Sequence, residues 1–436
     1  VTPLWLLACT GEPDARPKAP VEHTGEPAGR HTAAPEHSGE PAHSAAPLLP
    51  LVDEALAERC PDPTPAPERA GDDLHRVTLT GSAAVCNDGT PPVLYVAAAA
   101  DPASADDWVL SLESGLFCGS NEDCAVRWCG EDQYDASKMS TRWAPLAMGV
   151  GGVLDPAARN VFAPWNRVSF KYCSSDLWTG THHDQPLADG DPPFRLHFEG
   201  HEILMAGLDA LAAGVTSDDG LVTLPPLSAP HALVFAGSSS SGFGVLQHQD
   251  VVAARFSARR FTAVVDGWSS HPAPGVADAT VAAQVDVVNE SLWRTTYEPL
   301  FGMVVDESCG AAEAEPWRCT DTDHLLRTHL SAPRVLRSDL RDGPLYGFWT
   351  AFGVALPDYP ALVAATLRSQ ADLPDTAALG PSCGAHVVST GSPFFDLTVD
   401  DASGRAWSLH DAVVAQLFVS DVTAIDDGTG AASVCP

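Results

Sequence analysis

Short apolar runs alternate with longer amphipathic ones over most of this chain. Strand-like runs stand at Val93-Leu-Tyr-Val, Trp108-Val-Leu-Ser-Leu, Arg167-Val-Ser-Phe-Lys-Tyr, Ala232-Leu-Val-Phe and Phe261-Thr-Ala-Val-Val. Helix-like stretches lie between them, notably 199–213 and 244–256. Strands alternating with helices predict an α/β fold, a central and mostly parallel sheet with helices on both faces. In such sheets the chemistry gathers at the carboxyl ends of the strands. Residues 269–330 lose the alternation and predict an irregular cap. Residues 10–73 show none of it. They are rich in Pro, Ala, Gly, Glu and His, and they repeat: Glu22-His-Thr-Gly-Glu-Pro-Ala28 returns as Glu36-His-Ser-Gly-Glu-Pro-Ala42. With few large apolar residues such a segment cannot offset its ordering entropy, so a disordered tether is predicted. Its histidines 23, 31, 37 and 43 read as solvated linker positions rather than metal ligands. The folded domain is predicted to span 74–436.

Composition narrows the function classes. The 436 residues carry 24 Lys+Arg against 57 Asp+Glu, a formal net charge of −33. A field of that sign repels nucleic acid and anionic membranes. It reads as a solubility surface, and a monomer is predicted. Cysteines stand at 9, 60, 86, 118, 124, 129, 173, 309, 319, 383 and 435. None forms Cys-x-x-Cys or a Cys/His cluster of zinc-finger spacing, so disulfides and an oxidising compartment are predicted. Leu6-Leu7-Ala8-Cys9 is similar to a bacterial lipobox. Residues 1–9 are therefore predicted to be a lipoprotein-type signal with Cys9 as the lipid attachment site. The protein is expected to be exported, to the bacterial cell surface or periplasm as a lipoprotein or otherwise secreted. No run of ~18 apolar residues follows, so membrane contact is predicted only through that anchor.

The candidate chemistry lies in Ala236-Gly-Ser-Ser-Ser-Ser-Gly242, between the strand-like run at 232 and the helix-like run ending at Phe256. Strand, glycine-flanked serine and helix are the layout of a nucleophile elbow, which lifts a serine hydroxyl above a hydrolase sheet. Four serines in a row more often make a flexible loop, and it is the flanking sequence that favours the elbow.

With the elbow in place, the flanking blocks resemble the pectinacetylesterase family, and within it the Notum-type carboxylesterases, over about residues 86–412. Cys86-Asn-Asp-Gly-Thr90 resembles the family's opening segment. Leu112-Glu-Ser-Gly-Leu-Phe-Cys118 resembles its Leu-Glu-Gly-Gly-Trp-x-Cys block. Tyr172-Cys-Ser-Ser-Asp-Leu-Trp-Thr-Gly180 resembles Tyr-Cys-Ser-Ser-Asp-x-Trp-x-Gly, and 237–244 resembles Gly-x-Ser-Ala-Gly-Gly-x-Gly. The resemblance implies an α/β-hydrolase-like fold and a Ser-His-Asp serine esterase with no cofactor and no metal. It places the nucleophile on Ser239, with Ser240 selected if the frame moves by one. It places the histidine on His386, in Cys383-Gly-Ala-His386. It places the acid on Asp342, after Ala332-Pro-Arg-Val-Leu-Arg. Asp339, expected within that strand, and Asp266, at the end of the 261 run, are the rivals. The oxyanion would be met by the amides of Gly115, Leu116 and Ser240.

The chain departs from the family where substrate would bind. Ser240 stands for Ala, Ser241 for Gly, Ser114 for the first Gly of the oxyanion block and Leu116 for Trp. Asp342 is followed by Gly-Pro. The resemblance also implies disulfides Cys118–Cys124, Cys86–Cys173 and Cys309–Cys383. His182-His183-Asp184 reads as a polar loop rather than a metal site. These features together predict an exported serine carboxylesterase acting on O-acyl esters, most simply O-acetyl groups of a polysaccharide. A lipid or acyl-protein deacylase and a non-catalytic surface binding protein are the alternatives.

Overall fold

The computed structural model describes residues 48–61, 63, 65, 67–131, 135–268, 279–419 and 422–436. Cys9 and the repeats lie outside the described residues. A ten-stranded sheet runs in the order Thr423–Ile425, Thr376–Gly380, Arg334–Arg337, Arg260–Asp266, Ala232–Ser238, Asp107–Leu112, Asn166–Phe170, Val93–Ala97, Leu74–Thr78, Ala147–Met148. From Thr423–Ile425 to Asn166–Phe170 every pairing is parallel, and the remaining edge is antiparallel. Parallel strands covered on both faces carry near-continuous apolar runs. Strand Ala232–Ser238 is buried throughout. Its side chains alternate between two cores, Leu233 and Phe235 on one face and Ala232, Val234 and Ala236 on the other, as a period of two requires.

The main helices begin with α1 (Val52–Ala55), α2 (Asn121–Trp128), α3 (Gly200–Ala213) and α4 (Ser240–Phe256). After them come α5 (Ala279–Leu292), α6 (Glu307–Ala312), α7 (Thr322–Thr328) and α8 (Gly343–Ala351). The expected irregular cap is largely helical where it is described. It contains α5, a π-helical turn at Trp293–Phe301, α6 and α7. Its apolar positions pack at helical spacing, with Val281, Val285, Val288 and Leu292 all buried.

The expected start of the fold at 74 is also corrected. The compact unit begins at Leu49, because Val52 and Leu56 are buried and Cys60 is bonded to Cys129. The high Pro and Ala content around them hides these few anchors. Cys118–Cys124 and Cys86–Cys173 are bonded. Cys309 and Cys383 do not join each other. Cys309 bonds Cys319, ten residues on within the cap, and Cys383 bonds Cys435, so the histidine loop is stapled to the C-terminal segment. His182–Leu187 is a strand, antiparallel to Phe194–Phe198, and not the expected loop.

Candidate active site

The elbow joins strand Ala232–Ser238 to α4, and Ser239 sits at the join with φ 51° and ψ −127°. Non-glycine residues seldom hold a positive φ, and they do so where the surroundings over-determine it. Here the neighbouring serines do this. The Ser238 amide donates to Ser241 Oγ, and Ser241 Oγ donates back to the Ser238 carbonyl, both at 2.8 Å. The Ser239 amide donates to the Asp266 carbonyl at 2.8 Å. Gly237 admits the tight turn, since a Cβ there would lie 2.3 Å from the Ser241 carbonyl oxygen.

His386 Nε2 lies 2.8 Å from Ser239 Oγ. Its Nδ1 lies 2.8 and 3.0 Å from the two oxygens of Asp342. Asp342 is fully buried and caps α8, accepting the Leu345 amide at 2.9 Å. The imidazole is 22% exposed, open to a substrate on one side. Of the sequence candidates, Ser239, His386 and Asp342 touch in a chain, whereas Ser240, Asp339 and Asp266 make no bond to the imidazole. Asp339 does not lie within the strand, which ends at Arg337; it sits in the turn beyond.

The two rival aspartates instead hold the histidine loop. Arg337, 1% exposed, donates from Nη1 to Asp266 Oδ1 at 3.1 Å and to the carbonyls of Ala385 and His386 at 2.9 and 3.1 Å. Its Nη2 donates to Asp339 at 3.2 Å. Asp266 Oδ2 accepts the amides of Val388 and Ser389 at 2.7 Å each, and Asp339 accepts that of Ala385 at 3.1 Å. Burial pushes the Asp339 carboxyl above the usual range, against the pull of Arg337. An arginine inside a buried strand carries no motif, so sequence reasoning missed this hub.

The loop 113–116 is built to stand still. Arg127 donates to the Gly115 carbonyl at 2.7 and 2.6 Å, and Tyr172 Oη donates to that of Leu116 at 2.6 Å. A Cβ on Gly115 would fall 2.4 Å from the Tyr172 ring, and Leu116 holds φ 54°. Burial alone would raise the Glu113 carboxyl, but the adjacent Lys138 and Lys171 hold it down to about 2. The amides of Gly115 and Leu116 point at one atom, Ser240 Oγ, at 3.1 and 2.9 Å. Ser114 Oγ lies 3.0 Å from the same oxygen.

A cavity of about 390 Å³ opens over Ser239 and His386, walled by Arg69, Ser114, Met148, Val150, Val153 and Thr390. Around Phe243 of α4, aromatic rings pack on one another. Phe117 meets Tyr297 and Phe301 at 5.9 Å each, and Phe243 meets Trp268 at 5.6 Å. His183, Asp184 and His197 bring ligand atoms within 4.8 Å of one another but do not suit a metal. The Asp184 amide donates to His197 Nδ1 at 3.1 Å, so a neutral ring carries its proton on Nε2, the nitrogen left for a metal. Asp184 Oδ1 is taken by Arg195 at 2.6 Å.

Residues 69–269 match the family model of pectinacetylesterase. The palmitoleoyl-protein carboxylesterase NOTUM of Drosophila melanogaster is 26% identical over 343 residues, 76% of this chain and 47% of that protein. The human protein of that name is 25% identical over 273 residues, 58% of this chain and 48% of its own. Notum1' of Xenopus laevis is 30% identical over 190 residues, 43% and 34%. This chain thus spans less than half the length of these curated relatives. A crystal structure of the Wnt deacylase Notum from Drosophila superposes with a TM-score of 0.61 at 23% identity, over 83% of this chain and 99% of that one. That likeness shows a shared α/β-hydrolase fold.

Proposed function

We propose that this chain, whose residues 69–269 are a pectinacetylesterase-family region, is a serine carboxylesterase acting on short O-acyl esters. The observation that carries this is the hydrogen-bonded line from Asp342 through His386 to Ser239 on a strained elbow. A serine hydroxyl is a poor nucleophile until a base takes its proton, and the base needs a carboxylate to fix its tautomer. His386 Nε2 accepts the Ser239 proton as Oγ attacks the ester carbonyl. Asp342, receiving the Nδ1–H, stabilises the imidazolium. The oxyanion is met by the amides of Gly115, Leu116 and Ser240. His386 then protonates the leaving alcohol, and water, activated by the same imidazole, releases the acid from Ser239.

The relatives' names offer long-acyl removal from proteins as a second activity. The modest volume of the described cavity, about 390 Å³, favours a short acyl group such as acetyl. An O-acetylated saccharide is the substrate class we favour. The convergence of the three side chains supports catalysis over a purely binding role. Cys60, Cys86, Cys118, Cys309 and Cys383 are all disulfide-bonded, which supports an oxidising location outside the cytoplasm. Among the described residues no helix is long and apolar enough to cross a membrane. A lipid anchor on Cys9 remains part of the proposal.

The test is a fluorophosphonate probe with the adduct mapped by mass spectrometry, followed by p-nitrophenyl esters from acetate to palmitate. Labelling at Ser239, lost in His386→Ala, with acetate as the best ester, is the expected result. No labelling of the folded protein would overturn the esterase, and a preference for palmitate would assign the deacylase.

A further inference from the structure

We propose that Ser240 stoppers the oxyanion hole, its hydroxyl holding the place of the substrate's oxygen until acyl transfer displaces it. This rests on Ser239 being the nucleophile of an esterase. The two loop amides, Gly115 and Leu116, converge on Ser240 Oγ at 3.1 and 2.9 Å. Two amide donors converging on one oxygen define an oxyanion position, and here a side chain of the protein occupies it. A hydroxyl has two lone pairs and one proton. With both lone pairs taken by the amides, the proton goes to Ser114 Oγ, 3.0 Å away. Ser240 Oγ is therefore fully bonded, and the residue is fully buried. The stopper is held from both ends, and each end is a serine where the resembled pattern has alanine or glycine.

The loop cannot give way to admit substrate. Arg127 and Tyr172 pin the carbonyls of Gly115 and Leu116, and the Tyr172 ring stands against Gly115. The side chain of Ser240 has to move instead. A neutral ester carbonyl competes poorly for amides already bonded to a hydroxyl. The anionic oxygen of the tetrahedral intermediate competes well, because charge-assisted hydrogen bonds are about twice as strong. The stopper thus weakens the hole mainly toward the reacting state, so its removal should raise kcat and leave KM nearly unchanged.

The test uses the full chain with its disulfides formed. Ser240→Ala and Ser114→Ala are compared with the parent for p-nitrophenyl acetate hydrolysis, for the rate of fluorophosphonate labelling at Ser239, and for thermal midpoint. Ser240→Ala is expected to label and turn over about tenfold faster, at similar KM. Ser114→Ala frees the hydroxyl's proton and is expected to accelerate in the same direction by less, which keeps the proposal testable should Ser240→Ala fold poorly. Unchanged or slower labelling in the folded variants, with the parent labelling at Ser239, overturns the stopper alone. No labelling at Ser239 in any folded chain overturns the esterase and the stopper with it.

Discussion

Arg337→Met isolates what the buried cation does, because methionine keeps an unbranched apolar stem and removes only the guanidinium. In the parent, that group satisfies Asp266, Asp339 and the carbonyls of Ala385 and His386, with its own side chain and both carboxylates essentially buried. Removing one partner of a buried pair costs about 3–5 kcal/mol, since the other charge is left uncompensated. Asp266 keeps two amide donors and Asp339 keeps those of Ala385 and Arg341, which places the expected loss near ~4 kcal/mol. With a urea m-value of ~3 kcal/mol/M or more for a chain of this size, the midpoint falls by about 1 M. The same change unpins the loop that carries His386, and a shift of ~1 Å in a catalytic group costs on the order of 10²-fold in kcat. The pH dependence has a definite sign. Burial already raises the Asp339 carboxyl against the pull of Arg337, so without the arginine it rises further. A carboxyl raised in the folded state holds its proton there more tightly. The variant's deficit is therefore smallest at low pH, where the carboxyl is protonated in both states, and grows as pH rises through the folded-state value. Urea titrations across a pH series, with p-nitrophenyl acetate turnover, make the measurement. A midpoint shift below ~0.3 M with unaltered turnover would refute the hub.

Other outcomes are equally specific. Asp342→Asn should fold like the parent and lose about 10⁴-fold in kcat, because the amide favours the wrong imidazole tautomer; retention of even a tenth of the activity would remove Asp342 from its role. Gly115→Ala forces a Cβ to within 2.4 Å of the Tyr172 ring; if its amide meets the oxyanion as proposed, the change should cost on the order of 10²-fold in kcat with KM little changed. Burial, with His201 beside it, holds His248 down to about 3, so as pH falls below ~6.5 only the unfolded chain takes up this proton. Stability should then fall by about 1.4 kcal/mol per pH unit from this group, down toward its folded value. His248→Gln should remove that part of the slope in urea midpoints taken from pH 8 to 5, and parallel profiles would contradict it. Cys383→Ser with Cys435→Ser opens a link spanning 52 residues and should cost about 2–5 kcal/mol by thermal or urea unfolding.

The sheet is legible in the sequence because parallel, doubly covered strands need uninterrupted apolar runs, and Ala232-Leu-Val-Phe and Phe261-Thr-Ala-Val-Val are such runs. Ser239, Asp342 and His386 each lie in a local block whose order survives in the chain, and these are the residues that meet in the structure. What could not be read depends on distant partners. Pairing of Cys309 with Cys319 rather than Cys383 follows from a helical cap that closes on itself, and no spacing rule encodes that. The start of the fold at Leu49 depends on two apolar side chains and one cysteine finding partners far along the chain, against a local composition that reads as a tether.

The run of serines from 238 to 241 shows why composition alone misleads at the elbow. Four consecutive serines look like a flexible loop, yet each has a separate fixed position. Ser238 and Ser241 bind each other and close the turn. Ser239 faces His386, and Ser240 faces the amides of Gly115 and Leu116. Serine serves all four because it is small enough for a turn with positive φ at its centre and carries both a donor and acceptors. An alanine at 241 would lose the clamp, whereas an alanine at 240 would leave the clamp intact and expose the amides. The two substitutions therefore separate strain from catalysis. Ser241→Ala should lower stability by roughly 1–3 kcal/mol through the unsatisfied Ser238 amide and carbonyl, and it should lower activity with it. Ser240→Ala should raise activity. Equal effects of the two on turnover would mean that the run acts as one structural unit and that the separate assignments are wrong.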